Sequence, residues 1–377
     1  MIDPRRYWVA FTLVKGIGSV RFRGLLEYFG QADIAWNAST EALRQAGLSS
    51  KIVQNLVAVR SNISLDSVWQ RIQDQGITTL TWEDENYPRR LMEIDQPPPV
   101  LFVRGEICAE DAWSVAVVGT RRVTAYGRQI AEDVAATLAR NGVTVISGLA
   151  RGVDAIAHLA ALNAGGRTIA IMGSGIDRIY PPENRELAER IISKGALVSD
   201  YPPGTPPDAS NFPPRNRIIS GLSMAVVVVE AGNKSGALIT AAFAADQGRE
   251  VFAVPGNITA PQSQGTNRLI YNGARPLLDP REVLEALELT MVSQHQEARV
   301  ILPSDALEAQ LYAAIGNEPL HVDEIRAQTE LPIEQVTSTL ALMELKGMVR
   351  QVGGMQYIAI REVKNEYRAD EVGEDEI

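Results

Sequence analysis

Five loops of this 377-residue chain combine glycine, hydroxyl and cationic residues in a way that suits anion binding. They are Gly119-Thr120-Arg121-Arg122, Ser147-Gly148, Gly173-Ser174-Gly175, Arg215-Asn216-Arg217 behind Phe212, and Lys234-Ser235-Gly236. Glycine lets an anion approach the main-chain N–H groups, and the hydroxyls add donors. Arginine adds a planar fork matched to phosphate oxygens. The chemistry implied is the holding of phosphate, not bond making.

The usual nucleotide cradles are absent. Gly-x-x-x-x-Gly-Lys-Ser/Thr occurs nowhere, so an ordinary P-loop ATPase is disfavoured. In the first loop Arg121 stands where a dinucleotide fingerprint needs its second glycine. A close pyrophosphate is thereby disfavoured, while an anion held further off by the guanidinium and a helix N-terminus is allowed. Phosphate binding is the expected role of Arg121; the alternative is a surface ion pair. Arg215 and Arg217 flank Asn216 at a predicted helix start, after Phe212 in an extended loop. Two cations and an amide beside an aromatic ring suit a polynucleotide backbone with one base stacked on the ring. The alternative is a buried arginine network that ties this crossing to the sheet, with Phe212 in the core. The two roles are compatible.

Catalytic constellations are weak. His158 lies one turn after Asp154 in a run of Ala, Ile and Leu, and a structural imidazole bonded to a carboxylate or a backbone group is expected. Arg151 faces either a ligand or Asp154. One cysteine, Cys108, with His158, His295 and His321, offers neither a disulfide nor a Cys/His zinc cage. No catalytic residue, metal or cofactor is expected. A rival reading is a Rossmann-like enzyme of the nucleoside-monophosphate phosphoribohydrolase type, with Glu230 before the Lys234 loop as its acid. Against it, Pro-Gly-Gly-x-Gly-Thr is missing and no second acid is placed. A pure scaffold is a third reading.

The elements that must position these loops are short apolar runs. Val115–Val118, Val143–Ile146, Thr168–Met172 and Ala225–Val229 lack polar alternation, as do strands buried on both faces of a parallel sheet. In such sheets ligands sit beyond the carboxyl ends of the strands, where the Gly, Ser and Arg residues fall. Upstream, residues 1–63 read as small helices punctuated by Gly16-Ile17-Gly18 and Ala46-Gly-Leu-Ser49. They form either a helix-hairpin-helix whose free N–H groups can meet a phosphate, or a bundle whose glycines close turns. Residues 64–290 form the sheet domain. In it, Ile77–Leu80 is a predicted strand, and Tyr87-Pro-Arg-Arg-Leu through Val103 is predicted extended chain ending in an added strand. Asn184 is a candidate helix cap. A linker spans 291–303, three helices and a hairpin turning at Gly353-Gly354 read as a winged helix over 304–362, and 363–377 has the composition of a disordered acidic tail.

Net charge is −10, but residues 112–280 carry 16 Lys+Arg against 13 Asp+Glu, whereas 303–377 carry 6 against 15, so the central block is mildly cationic and the C-terminal region carries most of the net negative charge. The third helix of the winged helix offers only Lys346, at its end, and a protein-contact or dimer role is expected over duplex binding. No apolar run approaches the ~18 residues of a membrane span, and Met-Ile-Asp-Pro-Arg-Arg lacks the core of a signal peptide. A cytoplasmic protein without membrane contact is expected.

Six ordered motifs over the central block carry a family resemblance. Val-Gly-Thr-Arg121, Ser147-Gly-Leu-Ala-Arg-Gly-Val-Asp154, Tyr180-Pro-Pro-Glu-Asn184, Phe212-Pro-Pro-Arg-Asn-Arg-Ile-Ile-Ser-Gly-Leu-Ser223, Glu230-Ala-Gly-Asn-Lys-Ser-Gly236 and Val254-Pro-Gly-Asn257 resemble the bacterial DNA-processing protein A (DprA/Smf) family. The resemblance implies an α/β fold, an extended Rossmann-like domain that binds single-stranded DNA, between a small helical domain like a sterile alpha motif and a C-terminal winged helix. It implies a homodimer that delivers the recombinase RecA to strands coated by single-strand-binding protein, during natural transformation. By that resemblance Arg121 is the main phosphate-binding arginine and Phe212 the base-stacking aromatic, and Ser147, Gly148, Arg215, Arg217, Ser235 and Gly236 line the same pocket. The chain departs from the family in one place. Asp208-Ala-Ser-Asn211 lacks a lysine often found before the stacking Phe, which moves that part of the grip to Arg122 or Lys234.

Overall fold

The computed structural model describes residues 3–287, 306–315, 320–329, 331–345 and 348–359. It divides into two compact units, residues 1–293 and 294–377. The first is built on a nine-stranded sheet with strands β1 (Thr78–Thr81), β2 (Val100–Gly105), β3 (Ser114–Val118), β4 (Thr144–Ser147), β5 (Thr168–Ile171), β6 (Ala196–Ser199), β7 (Ala225–Val228), β8 (Glu250–Ala253) and β9 (Arg275–Pro276). Their order across the sheet is β1-β2-β6-β5-β4-β3-β7-β8-β9. From β6 to β9 every pairing is parallel; β1 and β2 are added antiparallel at the β6 edge. This is a doubly wound, extended Rossmann-like sheet.

The absence of polar alternation in the sequence has the expected cause. Every residue of β3, β4, β5, β6 and β7 is buried, and successive residues feed opposite cores. Val115 and Val117 pack with Val134, Leu138 and Ala157 on one face, while Ala116 and Val118 pack with Ile218 and Ala241 on the other. Connections between the parallel strands pass through the helices Ala125–Arg140, Val153–Asn163, Arg185–Lys194, Phe212–Leu222 and Ala237–Asp246, each starting just beyond a strand's carboxyl end or after a short crossing.

Residues 5–62 fold as short helices whose buried Trp8, Phe11, Phe22 and Trp36 form an edge-on aromatic group, with Trp8 and Phe22 centroids 4.9 Å apart. Their core runs on into Phe102, Leu197 and Met172 of the sheet. Gly16 has φ +102° and would, as any other residue, press against Ile52 at 3.2 Å, so this glycine closes a turn between packed helices. The expected extended stretch after Tyr87 differs: Arg89–Met92 makes one helical turn, because Pro88 starts it and Leu91 drops into the core.

The second unit has helices Ala306–Ala314, Val322–Thr329 and Ile333–Leu345 and a small sheet ordered β10 (Leu320–His321), β12 (Gln356–Ala359), β11 (Val349–Gly353). The hairpin turns at Gly354-Met355, where Gly354 has φ +57°, and the whole is a winged helix. The expected linker, the acidic tail and Lys346 lie outside the described residues. Among the described residues no helix is long and apolar enough to cross a membrane, and no group of three or more His, Cys, Asp or Glu is placed to hold a metal ion.

Candidate functional site

Strand order reverses between β3 and β7, which are neighbours although a hundred residues separate them in sequence. At such a switch point the chains leaving the two strands diverge and open a crevice. Here the crevice is a trough of about 810 Å³, lined on one wall by Gly119, Thr120, Arg121 and Arg122 after β3 and on the other by Gly232, Lys234, Ser235, Gly236 and Ala237 after β7. The helices Phe212–Leu222 and Ala237–Asp246 and the buried start of Val153–Asn163 also open onto it, so three positive helix-dipole ends converge there.

Arg121, Arg122 and Lys234 are exposed, and none of them forms an ion pair among the described residues. Three unpaired cations around one trough produce a local positive potential despite the overall negative charge. The Arg121 guanidinium carbon lies 5.6 Å from the centroid of the Phe212 ring. Phe212 is half-buried, and its inner edge rests on Gly173, where a Cβ would fall 2.7 Å from Phe212 Cδ1. The glycine at the end of β5 therefore makes the space in which the ring lies.

Beneath the ring sits Arg215, 4 % exposed, with its guanidinium carbon 5.8 Å from the Phe212 centroid. Its Nη1 donates to the carbonyl of Gly148 at 2.9 Å and to that of Ile171, and its Nε donates to Asn216 Oδ1 at 3.2 Å. Burial lowers the Arg215 pKa to about 10, and the nearby Asp154 carboxylate opposes that shift. Asp154 is itself raised by burial, against the pull of Arg215 and of the N–H groups of Ala150 and Gly148; its Oδ2 accepts from Gly148 N at 3.2 Å. Arg215 and Asp154 thus balance each other's charge under the trough and join the ends of β4 and β5 to the helix that carries Phe212. Asn216 completes the join by donating Nδ2 to the carbonyl of Gly236 at 3.3 Å, which fixes the Lys234 loop.

The residues expected at the site are therefore sorted by the fold. Gly119, Thr120, Arg121, Arg122, Phe212, Arg215, Asn216, Lys234, Ser235 and Gly236 line one trough. Ser147, Gly148 and Gly173 are buried beneath it; the Ser147 hydroxyl donates to Val117 O at 2.7 Å and faces no open space. Arg217 is not in the trough. Its Nη2 pairs with Asp200 at 2.8 Å, its Nη1 donates to Gln96 O at 2.6 Å, and both charged side chains are largely buried. Burial raises Asp200, with Arg217 opposing. So the arginine network envisaged for this crossing exists alongside the trough. Phe212 begins a helix and does not lie in an extended loop.

Other expectations shift. His158 is fully buried, but its Nδ1 partner is the Thr168 hydroxyl at 2.6 Å and neither a carboxylate nor the backbone. Thr168 Oγ1 donates to Val145 O, so Nδ1 carries the proton and the buried Nε2 has no partner. Arg151 pairs with Glu183 rather than with Asp154. Asn184 makes no side-chain cap and donates Nδ2 to Leu149 O at 2.9 Å. Glu230 is 3 % exposed, and its carboxylate accepts from Thr124 N at 3.0 Å and Thr124 Oγ1 at 2.5 Å, which secures the start of the helix Ala125–Arg140. The acid required by the hydrolase reading is occupied in this way. Tyr180, which also lines the trough, carries no local signal beyond its rigid Tyr-Pro-Pro setting.

The chain also has matches among known proteins. A family model described as DNA recombination-mediator protein A matches residues 78–288, and one for the DprA winged helix domain matches 295–355. The chain is 37 % identical to Protein Smf of a Synechocystis species over 94 % of its own length and 98 % of the relative's. It is similar to the X-ray structure of DNA processing protein A from Streptococcus pneumoniae, with TM-score 0.67 and 33 % identity, covering 74 % of this chain and 97 % of that one. A structure of DNA processing protein A from Helicobacter pylori, described for its single-stranded DNA binding mode, matches with TM-score 0.51 and 32 % identity over 56 % of this chain and 95 % of that one.

Proposed function

The chain belongs to the DNA recombination-mediator protein A family, and from that membership we propose that it holds single-stranded DNA in the trough at the β3/β7 switch point and passes it to RecA. Phosphates lie along Arg121, Arg122 and Lys234 and the three helix N-termini, and one base stacks on Phe212. The observation that carries this reading is Arg121, exposed and unpaired, next to a half-buried aromatic ring in an open trough. Backbone charge and stacking supply the affinity, so binding is independent of sequence and weakens with salt. A duplex hides its base faces and cannot use the ring.

In its cellular role, the protein protects incoming strands in the cytoplasm, works as a homodimer, and loads RecA onto strands coated by single-strand-binding protein during transformation. The reading is one of binding without catalysis. Anisotropy of a labelled dT oligonucleotide, against a duplex of equal length, tests it. Tight binding of the single strand and weak binding of the duplex are expected, and equal binding of both removes the stacked base from the proposal.

A further inference from the structure

Phe212 does not stand alone on the trough wall. The Tyr180 ring centroid lies 5.8 Å from that of Phe212, with the planes inclined by 39°. Both rings are half-buried and both line the main trough. They also line a smaller recess that continues past Arg121 toward Arg151, Gly148 and Pro181. A base between two rings needs about 7 Å, twice the carbon contact distance, so no base fits between these two. They form one bent platform on which neighbouring bases lie side by side.

The chain on both sides of Tyr180 is also held. Ser174 Oγ donates to the carbonyl of Arg178 at 2.8 Å, Arg178 N donates to Gly175 O at 2.8 Å, and on the other side Asn184 Nδ2 donates to Leu149 O at 2.9 Å. Pro181 next to it is buried. A backbone fixed in this way loses little freedom when a ligand stacks on the ring it carries. Among the described residues Tyr180 has no aromatic neighbour other than Phe212, and it shares the recess with Arg121, which is unpaired, and with Arg151, which is paired with Glu183.

We infer that Tyr180 is a second stacking residue of the single-strand site: it takes the base next to the one on Phe212 and directs the strand from Arg121 toward Arg151. The inference rests on the single-strand reading above. It adds a site residue and the direction of the strand, neither of which that reading contains.

The full chain and four variants, Tyr180→Leu, Tyr180→Phe, Phe212→Ala and the double Phe212→Ala/Tyr180→Leu, are titrated with fluorescein-labelled dT20. Leucine keeps apolar volume beside Phe212 but has no π-face. Tyr180→Leu is expected to weaken binding by about five- to hundredfold, and Tyr180→Phe to restore most of the loss. The double variant is expected to bind more weakly than Phe212→Ala by a similar factor. If the double variant binds as Phe212→Ala does, Tyr180 acts only by holding Phe212 and the inference is overturned. The same holds if Tyr180→Leu binds like the unaltered chain. Failure of the unaltered chain to bind dT20 instead overturns the single-strand reading itself.

Discussion

Arg121 and Arg215 approach the same ring, their guanidinium carbons 5.6 and 5.8 Å from the Phe212 centroid, yet one is exposed and the other 4 % exposed. The exposed one is free to meet a ligand; the buried one is tied to two carbonyls and to Asp154's charge. Removing Arg121 should therefore lower affinity without lowering stability. Arg121→Ala is expected to weaken dT binding about tenfold or more, in line with the loss of a charge-assisted contact of ~1.5–3 kcal/mol, with an unchanged denaturation midpoint. An unchanged binding isotherm excludes Arg121 from the site.

Arg217 should behave in the opposite way. Its pair with Asp200 is largely enclosed, and Asp200 Oδ1 already has no partner. Arg217→Ala leaves a buried carboxylate uncompensated, which costs about 3 kcal/mol and lowers the melting temperature by about 5–10 °C. The affinity of the molecules that remain folded should be unchanged. Scanning calorimetry with anisotropy below the transition checks both halves.

Gly173 tests how closely the ring is placed. A Cβ there would fall 2.7 Å from Phe212 Cδ1, and Phe212 has room to swing outward into the trough. Gly173→Ala is expected to weaken single-strand binding severalfold, of order 1 kcal/mol as one stacking contact is disturbed, with less effect on stability than a core substitution. Quenching of a 2-aminopurine base in the oligonucleotide reports whether the stack is lost.

His158 sets a pH limit. Burial, with a smaller contribution from Arg215, lowers its pKa to about 3 from an ordinary 6.5. The folded state thus binds fewer protons than the unfolded one between those values, so stability falls as pH drops from about 6.5 toward 3. Asp154 and Asp200, both raised by burial, act in the opposite sense. Their contribution is favourable in acid and lost as pH rises through their folded values. His158→Gln isolates the histidine: its stability should vary less steeply across pH 6.5 to 3, by up to one proton, in urea titrations. Equal slopes would mean that the imidazole charges in place.

The loops at the strand ends were legible in the sequence because glycine, serine and arginine directly after an apolar run form a local pattern. What could not be read was which of them share a space. The trough exists because β7 pairs with β3 and not with β6, and that non-local choice leaves no mark in either strand. Arg215 meets Asp154, and Arg217 meets Asp200, across crossings of the chain that no spacing rule reports. One signal was available. Arg215 and Arg217 lie two positions apart on a helix, about 200° around its axis, so the two cannot face one trough. His158 could be read as structural from its apolar neighbours, but its threonine partner comes from the adjacent strand β5.

The most direct test of the single-strand trough is the salt dependence of dT binding, for the full chain and for Arg121→Ala/Arg122→Ala/Lys234→Ala. Three unpaired cations should give a slope of log K against log salt of about −2, since each phosphate contact on a single strand adds about −0.7. The triple variant should bind weakly with a slope near zero, while a duplex of equal length binds poorly throughout. A triple variant that keeps both the affinity and the slope of the unaltered chain would mean that the strand is bound elsewhere.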